Sequence, residues 1–397
     1  MLLIRFAGGL PRDFWILLLS LFLINMFGLG FSPFMAYFLR EVGGSVGEVA
    51  LVLAVSRVAY TFFLVVGGVV GDFVGRRLPL IVGPIVIGFS YIALSGARSW
   101  GDAIIPLTFS MLPVAFTAPA VAAYIADVVD ESRYGRAYGV YFAVINLSAV
   151  LGYLIVGHMI EVSGYSVSLV AVGVASILTA LIRVWLREPR MPHLDRPVTA
   201  YVREAYGQLR SRFISLLILS RGLYLGLASA MSSVIIPLWA REIAALGEAQ
   251  LSFIFAIEAA IYSMLAPIGG RMVESQRWWL RLSLLELLIK IPALLILIST
   301  TTFLQLLLVM LLDSGLAIFI IPALDSRLSS GLASIHRGAI WGLQQSITSA
   351  ATITFILIGG YAWELLGPVN TVLILLAYPV GMMLLIIALA RAGGGNR

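Results

Sequence analysis

The sequence predicts an all-α integral membrane protein with twelve transmembrane helices in two pseudo-symmetric six-helix bundles. Three observations predict it. Of 397 residues, 60% are hydrophobic and 12% charged, with mean hydropathy +1.02, whereas a soluble domain carries about 25% charged residues. The apolar residues come in runs of about 20, the length at which a helix spans a bilayer. Landmarks of the first half also return in the second at a nearly constant offset. Gly67, Gly68 and Asp72 answer to Gly269, Gly270 and Glu274 at 202 residues, and Gly139, Gly157, Glu161 and Gly164 to Gly342, Gly360, Glu364 and Gly367 at 203.

The spans of the first half are 14–38, 49–70, 78–94, 103–126, 138–157 and 166–186, and those of the second are 213–240, 251–269, 279–298, 303–324, 338–362 and 369–390. Arg5 and Arg12 precede the first, but its apolar run is too long for a signal peptide and lacks a small-x-small cleavage site. Pro113, Pro119, Pro237 and Pro292 lie inside spans, as proline does more often in membrane helices than in soluble ones. The expected domains are 1–186, a cytoplasmic linker 187–212 with six arginines and Pro189, Pro192 and Pro197, and 213–397. Within the linker, 200–212 reads either as a solvated segment along the anionic leaflet or as a short surface helix with Tyr201, Tyr206 and Leu209 on its apolar side.

Charge fixes the orientation. With the N-terminus in the cytoplasm, 20 of the 26 Lys and Arg residues fall on the inner side, counting Arg183 and Arg281 at the inner ends of their spans. Only Arg40, Arg98 and Arg241 fall outside. This is the positive-inside distribution; it puts both termini in the cytoplasm and explains the +6 net charge without a nucleic-acid partner. With no cysteine, disulfides, thiolate metal sites and cysteine nucleophiles are excluded.

Residues 67–77, GGVVGDFVGRR, form a short charged hairpin between the second and third spans. Gly68 lets a neighbouring helix approach closely, and Asp72 and Arg76 are spaced to meet on one face of a helix end. Gly68, Asp72, Gly75, Arg76 and Arg77 carry a G-x-x-x-D-x-x-G-R-[RK] pattern that resembles the signature loop of the major facilitator superfamily. Phe73 departs from it where the family usually has a basic residue. Residues 269–277, GGRMVESQR, with Gly270, Glu274 and Arg277, are its counterpart, and GRAYG at 135–139 resembles the family's entry into the fifth helix, with RGAIWG at 337–342 as its equivalent. The resemblance implies two rocking halves around a midplane substrate site. It also implies a loop that latches the cytoplasmic side with Asp127 as further partner, and peripheral third, sixth, ninth and twelfth helices.

An ionisable residue at membrane depth costs at least about 2.5 kcal/mol on insertion scales, which makes it a functional candidate. Six stand there: Arg57, Arg221, Glu258, Glu286, Lys290 and Asp313. Arg57 and Glu258 occupy nearly equivalent places in the second and eighth spans, each followed by a tyrosine (Tyr60, Tyr262). They are expected at the central cavity, as a charge pair or dividing substrate contact from proton coupling, unless they form a structural ion pair or Arg57 snorkels outwards. Glu286 and Lys290 are read as a self-neutralising i, i+4 pair that Asp313 can join, and Asp313 is a second-choice proton carrier. Arg221 either snorkels or lines the inner vestibule. Asn25, Asn146, Gln344 and Gln345 either reach the cavity or tie helices together.

No catalytic constellation, metal-ligand cluster or cofactor motif appears. Lys290 is the only lysine, so there is no phosphate-binding G-x-x-x-x-G-K-[ST] loop, and transport must draw on a gradient or on the substrate itself. The leading expectation is a secondary transporter of the plasma membrane, acting as a monomer and exporting small amphipathic compounds against protons, similar to the drug-efflux branch. That branch typically has a basic residue in the fourth helix and G-P-x-x-G-G in the fifth; here the fourth span has no arginine and LGYLIVG keeps only Gly152 and Gly157. The alternatives are uptake of a sugar or organic anion through Arg57 and Arg221, and a non-transporting sensor on the same fold.

Overall fold

The computed structural model describes residues 9–130, 133–189, 207, 211–274, 278–314, 317–331 and 337–394, without the side chains of 65–74, 135, 267, 270, 274, 314, 329–331, 337–341 and 393–394. Every regular element among them is helical, the form in which a lone segment satisfies its own backbone in hydrocarbon. Nine helices of the described residues are long and apolar enough to cross a membrane. Large apolar side chains such as Phe62, Met264 and Leu304 lie on the surface, suited to lipid.

By its contacts the chain divides into two units: Met1–Gly43 with Val55–Asp195, and Gly44–Ala54 with Arg196–Arg397. The division at Asp195 falls inside the 187–212 linker. Gly44–Ala54 groups with the second unit.

In the first unit, α1 (Arg12–Phe31) runs through a 3-10 turn at Ser32–Phe34, set by Pro33, into α2 (Met35–Glu41). Next come α3 (Val46–Val74), whose first turns belong to the second unit, α4 (Arg77–Leu94), α5 (Trp100–Val128) and α6 (Tyr134–Arg183). A capping box starts α5: the Ser99 hydroxyl accepts from the Asp102 N–H, and the Asp102 carboxylate from the Ser99 N–H at 2.9 Å. The fifth and sixth predicted spans both lie in α6, divided at Gly164 (φ 79°, ψ 172°). Phe14, Leu17, Leu80, Tyr124 and Ile125 centre its core.

The second unit begins with α7 (Arg212–Ala230), which continues through π-turns at Met231–Ile235 and Trp239–Ile243 on either side of α8 (Ile236–Leu238). Pro237 lies between these turns and has no N–H to give the preceding turn, which accounts for the widened helix. Then follow α9 (Glu248–Glu274), α10 (Trp278–Ile298), α11 (Phe303–Ser314), α12 (Ile320–Gly331), α13 (Arg337–Leu366), α14 (Pro368–Leu375) and α15 (Ala377–Gly394). Ile218, Tyr224, Leu287, Ile320, Leu324 and Ile386 centre its core. Gly367, between α13 and α14, has φ 83° and ψ 166°, nearly the backbone of Gly164. These left-handed values favour glycine, which gives this repeated pair of landmarks its physical reason.

Among the described residues the tenth span, read as one helix over 303–324, is helical over Phe303–Ser314 and again from Ile320, with a turn at 317–319 before the restart. A charge of α10 meets the restart.

Candidate substrate and coupling site

Glu286 and Lys290 stand one turn apart on α10 and act on each other electrostatically, while each also has a partner on another helix. The Lys290 ammonium pairs with Asp313, in the last turn of α11, and lies 5.3 Å from the centre of the Tyr224 ring. A carboxylate at a helix C-terminus opposes the helix dipole, and the ammonium offsets it. Glu286 is buried. It accepts from the hydroxyl of Tyr224 on α7 and, at 3.0 Å, from the N–H of Ile320, the first residue of α12. An anion at a helix N-terminus satisfies otherwise orphaned N–H groups, so Glu286 makes the restart at Ile320 tolerable within the bundle.

Arg221, left open between snorkelling and lining a vestibule, is engaged inside the second unit. Its guanidinium forms an ion pair with Asp325 of α12 and donates to the side-chain oxygen of Gln344 on α13. Gln344 is fully buried and donates to the Thr348 hydroxyl at 2.8 Å. Gln345, one residue on, is exposed.

Glu258 and Tyr262 are half-buried on α9, and Tyr262 packs against the second unit's core. Arg57 and Tyr60 are half-buried on α3, and the Thr61 hydroxyl donates to the Arg57 carbonyl at 2.8 Å. Arg57 thus belongs to the first unit and Glu258 to the second. Asn25 donates to its own helix at the Leu21 carbonyl, 2.8 Å away, and Asn146 is half-buried on α6.

In the signature loop Gly75 has φ 101°, turning the chain between α3 and α4. Arg76 Nε lies 3.4 Å from Asp127 Oδ2, and Arg77 donates to the Val184 carbonyl at 2.6 Å. Gly68 and Gly270 fall on α3 and α9, while the side chains of Asp72 and Glu274, and Arg277, lie outside what the structure describes.

Sequence reasoning missed three side chains. Glu188, just beyond α6, accepts from the N–H of Arg76 at 2.7 Å and of Arg77 at 3.1 Å, and so caps α4; no spacing in the sequence ties it to that loop. Arg183, counted with the linker charges, is buried: its Nε donates to the Ser20 hydroxyl at 2.9 Å and its Nη1 to the Leu80 carbonyl at 3.0 Å. Its place inside the 166–186 span was the available signal. Glu364, noted only as a repeat landmark, accepts from the Gly47 N–H and the Ser45 hydroxyl, capping α3 within the second unit.

A family model described as Major Facilitator Superfamily matches residues 17–356. An uncharacterized MFS-type transporter of Methanocaldococcus jannaschii, MJ1560, is 25% identical over 176 residues, 44% of this chain and 45% of that one. Quinolone resistance protein NorA of Staphylococcus aureus is 24% identical over 153 residues, 38% of this chain and 39% of that one. The chain thus spans less than half the length of these relatives. Among solved structures, a POT family transporter in complex with 5-aminolevulinic acid superposes with TM-score 0.80 at 12% identity, over 97% of both chains. A bacterial homolog of the human lysosomal transporter Spinster gives 0.79 at 14%, over 98% of this chain and 99% of that one. These likenesses show the fold.

Proposed function

Because the chain belongs to the Major Facilitator Superfamily, we propose that this transporter exports small amphipathic cations by alternating access, driven by protons. It works as a monomer in the plasma membrane with both termini cytoplasmic, and it carries out no catalysis and needs no cofactor. One observation carries the choice of substrate charge. Arg221, a cation that could have received an anionic substrate in the second unit, is already matched by Asp325 and Gln344, which weighs against the anion-uptake reading. Glu258, which also acts electrostatically on Lys290, has Tyr262 one turn on, and a carboxylate beside an aromatic face suits an organic cation. A proton and a cation competing for one carboxylate gives exchange. The partial likeness to a quinolone resistance protein fits, since export confers resistance.

In this reading the 67–77 loop, with Asp72, Arg76 and Asp127, and the 269–277 loop with Glu274 latch the cytoplasmic side, while Arg57 and Tyr60 are the first unit's candidates for substrate contact.

The test is ethidium transport in proteoliposomes under an imposed pH gradient, with native protein and Glu258→Gln. Native protein moves ethidium and the variant loses gradient dependence. Gradient-driven ethidium movement of native size in Glu258→Gln, or stabilisation of the purified protein by gluconate but not by ethidium, overturns the reading.

A further inference from the structure

Lys290 is the only lysine of the chain, and three carboxylates act on it, Asp313 and Glu286 ahead of Glu258. Its ammonium rests on Asp313 of α11 and against the Tyr224 ring. Glu286, one turn earlier on α10, lies within ordinary i, i+4 reach but is occupied by the Tyr224 hydroxyl and the Ile320 N–H. With Asp313 and Glu286 both ionised, their trio with Lys290 carries one excess negative charge, expensive at membrane depth, so it invites a proton. Neutralising Asp313 would leave Glu286 as the next anion along α10 for the ammonium. The groups around the trio are Tyr224 of α7, Glu258 of α9 and Tyr378 of α15, with the Ile320 N–H of α12. The Tyr378 hydroxyl is enclosed and has no hydrogen-bond partner among the described residues. Both Glu286 and Asp313 act on it electrostatically, and a protonated Asp313 would offer the O–H that it can accept.

We propose that the Asp313–Lys290 ion pair is a proton-operated switch: a proton on Asp313 hands Lys290 to Glu286, which loosens that carboxylate's hold on the N-terminus of α12 and on Tyr224 of α7. In the step one O–H bond forms on Asp313, its ion pair with Lys290 breaks, and a new one forms at Glu286. The trio passes from one net negative charge to neutral, and nothing but the proton is exchanged. The switch ties protonation to α7 and to the divided tenth span, and it rests on the proton-coupled reading above.

Hydrogen–deuterium exchange of the full chain in nanodiscs tests it without a substrate. Asp313→Asn, which imitates the protonated acid, raises exchange in the peptide that starts at Ile320 about fivefold, the equivalent of one lost hydrogen bond. Lys290→Met leaves that exchange at the native level, because Glu286 gains no new partner, and the double variant returns to native. Equal loosening in both single variants, or no change in Asp313→Asn, overturns the switch. Should Asp313→Asn not fold, a pH series replaces it, with exchange read relative to a peptide of α5. Acid raises the ratio in native protein and not in Lys290→Met; a ratio independent of pH in native protein overturns the proposal. If the exchange pattern holds while ethidium is not transported, the export reading fails alone. If Glu258-dependent transport holds while the pattern is absent, the switch fails alone.

Discussion

Gly152 of α6 faces the backbone of α1, and replacing it with alanine measures how closely these two helices must meet. A Cβ there would lie 2.9 Å from the Met26 carbonyl carbon and 3.1 Å from its Cα, and closer still to its oxygen. Carbon atoms pack at about 3.5–4.0 Å, and backbone cannot rotate aside as a side chain can. The helices must separate by up to about 1 Å, an overpacking that costs about 1–3 kcal/mol, and the backbone contact argues for the upper end. Alanine returns about 0.5–1 kcal/mol as the better helix former, leaving a net loss of about 2 kcal/mol. At about 2–4 °C per kcal/mol for a unit of this size, the melting temperature falls by about 4–8 °C. Gly139 of the same helix is the control, since a Cβ there meets nothing within 4 Å; Gly139→Ala melts level with native or above it. Fluorescence-detected melting of the three proteins in one detergent reads the difference. If Gly152→Ala melts no lower than Gly139→Ala, close backbone packing of α1 on α6 is refuted.

Two further outcomes follow from the same first unit. Arg183→Met should melt within about 1 kcal/mol of native or above it: no carboxylate pairs with the guanidinium among the described residues, Ser20 keeps its bond to Leu17, and replacing a buried charge with an apolar side chain is often neutral or better. A large loss of stability would instead assign the arginine a structural bond that its neighbours cannot replace. Glu188→Ala uncaps α4 and should raise hydrogen exchange at Arg76 and Arg77 about fivefold, the effect of about 1 kcal/mol for a lost cap; unchanged exchange would mean that water replaces the carboxylate without cost.

Much of the fold was legible because membrane burial imposes a coarse rule. Every span must be a run of apolar residues, and every left-handed break between spans favours a glycine, so Gly164 and Gly367 announced both the repeat and its turns. The site was less legible, because charges choose partners through tertiary contacts that spacing does not encode. Arg76 and Asp127, 51 residues apart, were associated only through the family pattern. Nothing local joined Glu188 to the amides of α4 or Glu364 to those of α3. Both carboxylates do the same thing: each caps a helix that begins far away in sequence, Glu188 the start of α4 and Glu364 the start of α3, where Ser45 and Glu48 also accept from local amides.

Glu286 shows why spacing misled. The i, i+4 rule assigns it Lys290, an interaction worth about 0.5 kcal/mol on an exposed helix. An unsatisfied N–H within hydrocarbon costs several kcal/mol, and the divided tenth span creates such a group at Ile320. The larger cost decides, so Glu286 turns to the helix end and Lys290 to the carboxylate of Asp313. The sequence shows both charges but does not fix the break, since the run over 303–324 stays mostly apolar, with Gln305, Asp313 and Ser314 as its polar residues. A charged pair on one membrane helix, beside a neighbouring span that carries an acid such as Asp313, is therefore a reason to look for partners across helices before pairing the two charges with each other.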